Sequence, residues 1–268
     1  MKKQRTITFF EHEMFIRGRD ANNRRGTLLY IHGLGESGLC FEHLLGHPGL
    51  NQWRQLVPDL PGYGRSPWRD EILTLPDQAD HLANWLRSSE VVSDAIPVMV
   101  IGHSMGGVIG LLFCERHPDL AVGFVDVEGN MSRNDCVFSG QAAKQSLSNF
   151  LADGFDQMRD AIFSEGYKDA AKRGYYVSMR LADPRSFYHN SQELIKMSSQ
   201  EDLAKRLASL PIPSYYLAGV PDGVSNRSRQ LLSEAGVPLI GIEPSGHWPF
   251  IDQTERFVQE LKKVLIAW

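Results

Sequence analysis

Residues 100–107 read VIGHSMGG, in which one serine stands between glycines directly after an apolar run. Ser104 lies two residues after Gly102 and two before Gly106, where a second apolar run, GGVIGLLFCERHP, begins. Small residues on both sides permit a sharp turn from strand to helix, at which the backbone is strained and neighbouring segments approach closely. Because such a turn projects the hydroxyl beyond the edge of a sheet, we predict that Ser104 is a nucleophile.

Composition restricts the classes of partner. The chain has 268 residues, 42% of them hydrophobic, which suits one globular domain with room for an insertion. The net charge of −4 arises from 32 acidic and 28 basic residues spread along the sequence, which gives no basic stripe for nucleic acid and no polybasic membrane anchor. No apolar run approaches the roughly 20 residues of a membrane span. We expect a small-molecule partner, no nucleic acid and no membrane, and a monomer or small homo-oligomer.

Cysteine and histidine spacing indicates neither a disulfide scaffold nor a metal site. Cys40, Cys114 and Cys136 form an odd, scattered set without a C-x-x-C pair. The nine histidines make no H-E-x-x-H or H-x-H pattern. We therefore expect no metal, no cofactor and a cytoplasmic protein with reduced thiols.

Apolar runs alternate with helical patterns along the chain. Fully apolar strands separated by helices predict an α/β fold, whose mostly parallel sheet is covered on both faces and has its active site at the carboxyl ends of the strands. Residues 131–200 show only helical patterns, and about seventy residues are too many for a loop in a compact domain. We predict a core of residues 1–130 and 201–268 that ends in a helix reaching Ala267, with a helical insertion at 131–200.

Four motifs in this order resemble the α/β-hydrolase superfamily, in its serine-nucleophile branch with a helical cap. They are YIHGLGES at 30–37, PDLPGYGRS at 58–66, GHSMGG at 102–107 and PSGHWPFIDQTERF at 244–257. The resemblance covers nearly the whole chain. It implies an α/β-hydrolase sheet of about eight strands, a cap (lid) formed by residues 131–200, and a substrate pocket between the cap and the sheet.

The resemblance also implies roles for individual residues. The backbone amides of Leu34 and Met105 would form the oxyanion hole, and Met105 is predicted to begin a helix, where its amide lacks an acceptor. His247 would take the proton of Ser104 and return it to the leaving group. His32 is expected to brace its loop by hydrogen bonding, and His103 to point away from the site and pack.

Two carboxylates are candidates for the acid that orients His247. Asp222 follows the seventh strand in LAGVPDG and fits the G-x-x-D of the superfamily, whereas Glu128 follows the sixth strand in FVDVEGN and resembles the acid position of haloalkane dehalogenases. Asp222 has a ready explanation as a turn residue. A glutamate beside Gly129 at a strand end facing the site is hard to explain by packing, because a buried carboxylate needs a partner. We favour Glu128 and keep both as candidates.

A serine nucleophile predicts an acyl-enzyme intermediate and an ester-type substrate, namely a carboxylic ester, thioester or lactone. C–C bond hydrolysis and lyase or perhydrolase chemistry would use the same triad, and a non-catalytic ligand receptor would keep the same fold. The insertion is rich in aromatic side chains, most of which are expected to be core and some to line an apolar acyl pocket. They are Phe150, Phe155, Phe163, Tyr167, Tyr175, Tyr176, Phe187 and Tyr188.

Overall fold

A computed structural model describes residues 6–21, 25–90, 92 and 97–266. Within these ranges eight strands form one sheet in the order β1-β2-β4-β3-β5-β6-β7-β8. The first two strands pair antiparallel, as do β2 and β4, and all other neighbours are parallel. The strands are β1 Thr6–Glu11, β2 Met14–Arg19, β3 Gly26–Ile31, β4 Trp53–Pro58, β5 Val98–His103, β6 Ala121–Val127, β7 Ser214–Pro221 and β8 Leu239–Ser245.

The predicted fold class, a mostly parallel α/β sheet with helices, is confirmed. All six residues of β4 and all six of β5 are buried, so both faces of the sheet are covered at its centre. Unbroken apolar runs such as VMVI in β5 are typical of parallel strands that bury both faces. Residues 1–5, 22–24, 91, 93–96 and 267–268 of the predicted core, including the end of its last helix, lie outside the described residues.

Helices connect the strands and cover the sheet. Helix α1 begins with a capping box, in which Thr74 accepts from the Asp77 amide and the Asp77 carboxylate accepts from the Thr74 amide. Helix α2 has buried residues around its whole circumference and packs on β5, β6 and α1. The helices of the sheet region are α1 Leu75–Ser88, α2 Met105–Arg116, α8 Leu203–Ala208, α9 Asn226–Ala235, α10 Pro249–Asp252 and α11 Thr254–Ile266.

The segment between β6 and α8 contains helices and turns and no strand, as the sequence pattern of residues 131–200 predicts. Its helices are α3 Val137–Ala143, α4 Leu147–Asn149 with a π-helical turn at Phe150–Gly154, α5 Phe155–Glu165, α6 Ala170–Met179 and α7 Pro184–Ser198. The division into core and cap at residues 131 and 200 stays a prediction. None of the helices in the described ranges has the length and hydropathy needed to cross a membrane.

Candidate active site

A pocket of about 540 Å³ lies where the carboxyl ends of the parallel strands meet the helical segment. Strands β3, β5, β6, β7 and β8 all point their carboxyl ends to this edge, so the residues that follow them come together. Five of the six predicted site residues line the pocket, namely Leu34, Ser104, Glu128, Asp222 and His247. Met105, the sixth, is fully buried beneath it at the start of α2.

Ser104 occupies the strained turn that its flanking glycines predict. Its backbone angles, φ of 54° and ψ of −119°, lie outside the regions that residues other than glycine ordinarily occupy. A Cβ at Gly102 would collide with the Gly106 carbonyl, and one at Gly106 would collide with the Ile31 carbonyl. The glycines are therefore required by the close approach of β3, β5 and α2 around the serine.

The loop after β3 lies against this turn. A Cβ added to Gly33 would come within 3.1 Å of the Ser104 Cβ, which places Leu34 of the same loop beside the serine. His32 holds the loop in place, since its Nε2 accepts from the Leu60 amide at 3.0 Å and its Nδ1 lies 2.9 Å from the Gly33 carbonyl. Burial lowers the pKa of His32, against the smaller opposing effect of Asp59. The His32 ring is therefore neutral, and it joins the loop after β3 to the loop after β4.

His247 and Glu128 are in contact with each other in the lining of the pocket. Glu128 Oε2 lies 3.3 Å from His247 Nδ1, and Glu128 Oε1 accepts from the Gly219 amide at 2.6 Å. The glutamate is 2% exposed, and its φ of 55° is a backbone conformation that residues with a side chain rarely adopt. Gly223 makes room for it, because a Cβ there would collide with Glu128 Oε1.

Asp222 is placed differently. It is exposed at the rim of the pocket, and its backbone amide donates to the Ser245 carbonyl at 3.3 Å. In the described part of the chain no hydrogen bond joins its carboxylate to His247. The geometry thus favours Glu128 over Asp222 as the partner of the imidazole.

Sequence reasoning missed a second buried carboxylate in the site. Glu36 is 2% exposed, and its two oxygens accept from Gly33, His103 and Trp248. His103, expected only to pack, lines the pocket and bonds to the His247 loop. The available signal was the glutamate in HGLGES, a charged residue within a tight glycine loop next to the predicted oxyanion donor.

The pocket wall is aromatic and its charge is mainly negative. The rings of Phe138, Tyr175 and Trp248 contact one another with centroid distances of 5.0–6.2 Å. Lys172 is the single lysine or arginine in the described lining, and its Nζ lies 2.6 Å from Glu165. Six carboxylates line the same pocket: Glu36, Glu128, Asp135, Asp169, Asp222 and Asp252. No group of three or more His, Cys, Asp or Glu in the described part of the chain is arranged to hold a metal ion.

Comparison with known families settles the relationship that the motifs suggest. Residues 28–260 match the model of the alpha/beta hydrolase family. The chain belongs to the α/β-hydrolase family. The resemblance drawn from the four motifs is therefore confirmed for this α/β-hydrolase.

Curated relatives align along most of this α/β-hydrolase. A 2-succinyl-6-hydroxy-2,4-cyclohexadiene-1-carboxylate synthase from Pectobacterium atrosepticum is 27% identical over 233 residues, which cover 82% of this chain and 86% of the relative. A pimeloyl-[acyl-carrier protein] methyl ester esterase from Shewanella sp. MR-7 is 24% identical over 265 residues, covering 90% and 91%.

Solved structures share the fold of this α/β-hydrolase. An aryl esterase from Burkholderia cenocepacia superposes with a TM-score of 0.76 at 21% identity and covers 98% of both chains. An N-acyl homoserine lactonase complexed with N-hexanoyl homoserine superposes with a TM-score of 0.72 at 19% identity, covering 98% of this chain and 96% of the lactonase. At sequence identities of 21% and 19%, these structures show that the fold is shared and nothing more.

Proposed function

We propose that this protein is a serine hydrolase that cleaves small, neutral ester-type substrates through an acyl-enzyme. One observation carries the proposal: a serine in a strained strand-to-helix turn shares a pocket with a histidine whose Nδ1 faces a buried carboxylate. Nucleophile, base and orienting acid are the three parts that acyl transfer by a serine requires. The family, with esterases among its relatives, supports the same reaction class.

In the first half of the reaction, Ser104 Oγ attacks the carbonyl carbon of the ester. His247 accepts the hydroxyl proton at Nε2 while Glu128 orients the ring through Nδ1 and stabilises the imidazolium. The carbonyl oxygen gains a negative charge, which the amides of Leu34 and Met105 stabilise from the loop after β3 and the start of α2. His247 then protonates the leaving alcohol, and the C–O bond breaks.

In the second half, water replaces the alcohol. His247 takes a proton from the water, whose oxygen attacks the acyl carbon and releases the acid, and Ser104 regains its proton. Every proton moves between Ser104, His247, the water and the products. The proposed reaction therefore balances with Ser104, His247, water and the substrate, and it requires no cofactor.

The pocket lining supports a neutral substrate with an apolar or aromatic part. Phe138, Tyr175 and Trp248 offer an apolar wall for it. An anionic substrate would meet six carboxylates, whereas the only lysine or arginine in the described lining, Lys172, is already paired with Glu165. Like charges that face each other in a partly desolvated site disfavour binding.

A panel of p-nitrophenyl esters tests this proposal. Neutral acetyl, butanoyl, hexanoyl and benzoyl esters should be hydrolysed above background, and an ester of equal length whose acyl chain ends in a carboxylate should have a kcat/KM at least about tenfold lower. Steady-state release of p-nitrophenol measures both. Failure to hydrolyse any ester would contradict ester hydrolysis, and preference for the carboxylate would contradict the neutral substrate class.

A lyase reaction that uses the same triad is the second candidate, and a relative named as a synthase, which is 27% identical over 233 residues, favours a reaction other than hydrolysis. The compound in that relative's name carries a succinyl and a carboxylate group. The carboxylate-rich lining of this pocket fits such an anion poorly. A preference for the carboxylate ester in the panel would show that the pocket accepts an anion of this kind, which this candidate requires.

Gly223 gives a sharper test of the role of Glu128. The Gly223→Ala variant should lose about 10²-fold in kcat, because the added methyl group would collide with the Glu128 carboxylate and with the Gly219 carbonyl. The Gly219 amide holds Glu128, so both collisions displace the carboxylate from His247. Gly140→Ala is the matched control, since nothing lies within 4 Å of a Cβ at that position in α3. Equal activity of the Gly223 variant and the control would show that the position of Glu128 does not matter.

A further inference from the structure

A buried ion pair lies directly beneath the proposed triad. His103 precedes Ser104, and Glu36 belongs to the loop that carries Leu34. His103 Nδ1 lies 2.9 Å from Glu36 Oε2, and the two side chains are 1% and 3% exposed. On the other side of the ring, His103 Nε2 lies 2.8 Å from the backbone carbonyl of His247.

Both ring nitrogens of His103 therefore face acceptors. A backbone carbonyl can only accept, so Nε2 carries a proton. Glu36 is held in its charged form, because Gly33 and Trp248 each donate to it at 2.6 Å in addition to His103. An ionised carboxylate also only accepts, so Nδ1 carries a proton as well.

The surroundings of His103 favour its charged form. The ionisable groups that face it are Glu36 from the loop after β3, Glu128 from the loop after β6 and the His247 ring, whose centroid is 4.8 Å away. Phe250 and Trp248 complete its surroundings with uncharged rings. The two carboxylates stabilise a positive charge on His103, and the His247 ring is the single group among these that could carry a like charge.

The pKa values agree with this assignment. Burial alone would lower the pKa of His103, but the charge and hydrogen bond of Glu36 and the bond to the His247 carbonyl raise it overall. Burial would raise the pKa of Glu36, but the charge and hydrogen bond of His103, with the bonds from Trp248 and Gly33, lower it to about 2.

We propose that His103 is a doubly protonated positioning residue, which together with Glu36 fixes the loops of Leu34 and His247 against the Ser104 turn. The pair joins three segments that are far apart in sequence. Glu36 holds the oxyanion loop through Gly33, and His103 holds the His247 loop through its carbonyl. The role in turnover rests on the proposed function, whereas the protonation state of His103 does not.

The pair also gives the site a pH dependence. Below about pH 6.5, the ordinary pKa of histidine, His103 is fully protonated and makes both contacts, one to Glu36 and one to the His247 carbonyl. As the pH rises through the raised pKa of His103, the ring keeps one proton and one of its two contacts is lost. Activity should therefore fall on the alkaline side at that pKa.

Nitrogen-15 NMR of the histidine-labelled native protein tests the protonation state directly. In a pH titration both ring nitrogens of His103 should keep the chemical shifts of an imidazolium to a higher pH than those of free histidine in the same buffer, because the pKa of His103 is raised. A single neutral tautomer of His103 at or below about pH 6.5, the ordinary pKa of histidine, would overturn the proposal. This readout requires neither activity nor a folded variant, so its failure is distinguishable from failure of the proposed function.

The Glu36→Gln variant tests the positioning role. It should lose about 10²-fold in kcat with less than about a threefold change in KM, because the loops shift while the pocket remains. Its His103 should lose a ring proton at lower pH than in the native protein, and its alkaline limb should move to lower pH. Glu255→Gln is the matched control, since Glu255 accepts from His47 at 2.9 Å in an exposed Glu–His pair. An unchanged kcat and alkaline limb in folded Glu36→Gln would contradict the positioning role.

Discussion

The Ser104→Ala variant should lose ester hydrolysis by on the order of 10⁵–10⁶-fold in kcat, because no other group can form the acyl-enzyme. The fold should survive, since alanine differs from serine by one oxygen. The Ser104 hydroxyl is not used to cap α2, which has no side-chain cap. Stopped assays with the best p-nitrophenyl ester of the panel measure the loss.

Ser164→Ala provides the matched control for this substitution. Ser164 lies on α5, its hydroxyl is exposed, and it donates to the Asp160 carbonyl at 3.0 Å. Its loss should leave kcat within about twofold of the native value. A Ser104→Ala variant that keeps more than a tenth of the native kcat would contradict the nucleophile assignment.

The second large effect concerns the acid of the triad. Glu128→Gln should lose about 10³–10⁴-fold in kcat, because an amide neither stabilises the imidazolium nor fixes its tautomer. Asp222→Asn should lose less than about tenfold, since Asp222 is exposed at the rim of the pocket. Steady-state kinetics of the two variants, with circular dichroism as a check of folding, separates the candidates. Reversed losses would assign the role to Asp222.

The fold was predictable because its signals are local. The apolar runs of β3 and β5 and the glycines around Ser104 each determine one strand or turn without reference to distant residues. Helix α2 begins at Met105, as the sequence predicts, because an apolar run follows directly on the glycine-flanked turn.

The choice between Glu128 and Asp222 depended on three-dimensional geometry. Both follow strands that end at the same edge, so sequence alone brings both near His247. What separates them is the positive φ of Glu128 and the space left by Gly223, neither of which a local pattern encodes. Sequence favoured Glu128 only because a buried carboxylate needs a partner.

The Glu36–His103 pair could not be predicted for a similar reason. The two residues are 67 positions apart, and their pairing follows from the adjacency of β3 and β5 in the sheet. Among the aromatic side chains of the helical segment, sequence could not separate pocket from core. Tyr175 lines the pocket, whereas Phe150, Phe155 and Phe187 are buried against one another.

The central claim, that Ser104 is an activated nucleophile, is tested most directly by covalent labelling. The native protein is treated with a fluorophosphonate, which reacts with a serine whose proton is removed by a neighbouring base. Intact mass should increase by one adduct, and the adduct should lie at Ser104 in the tryptic peptide 88–116. Absence of an adduct on the native protein, or an equal adduct on Ser104→Ala, would contradict the account.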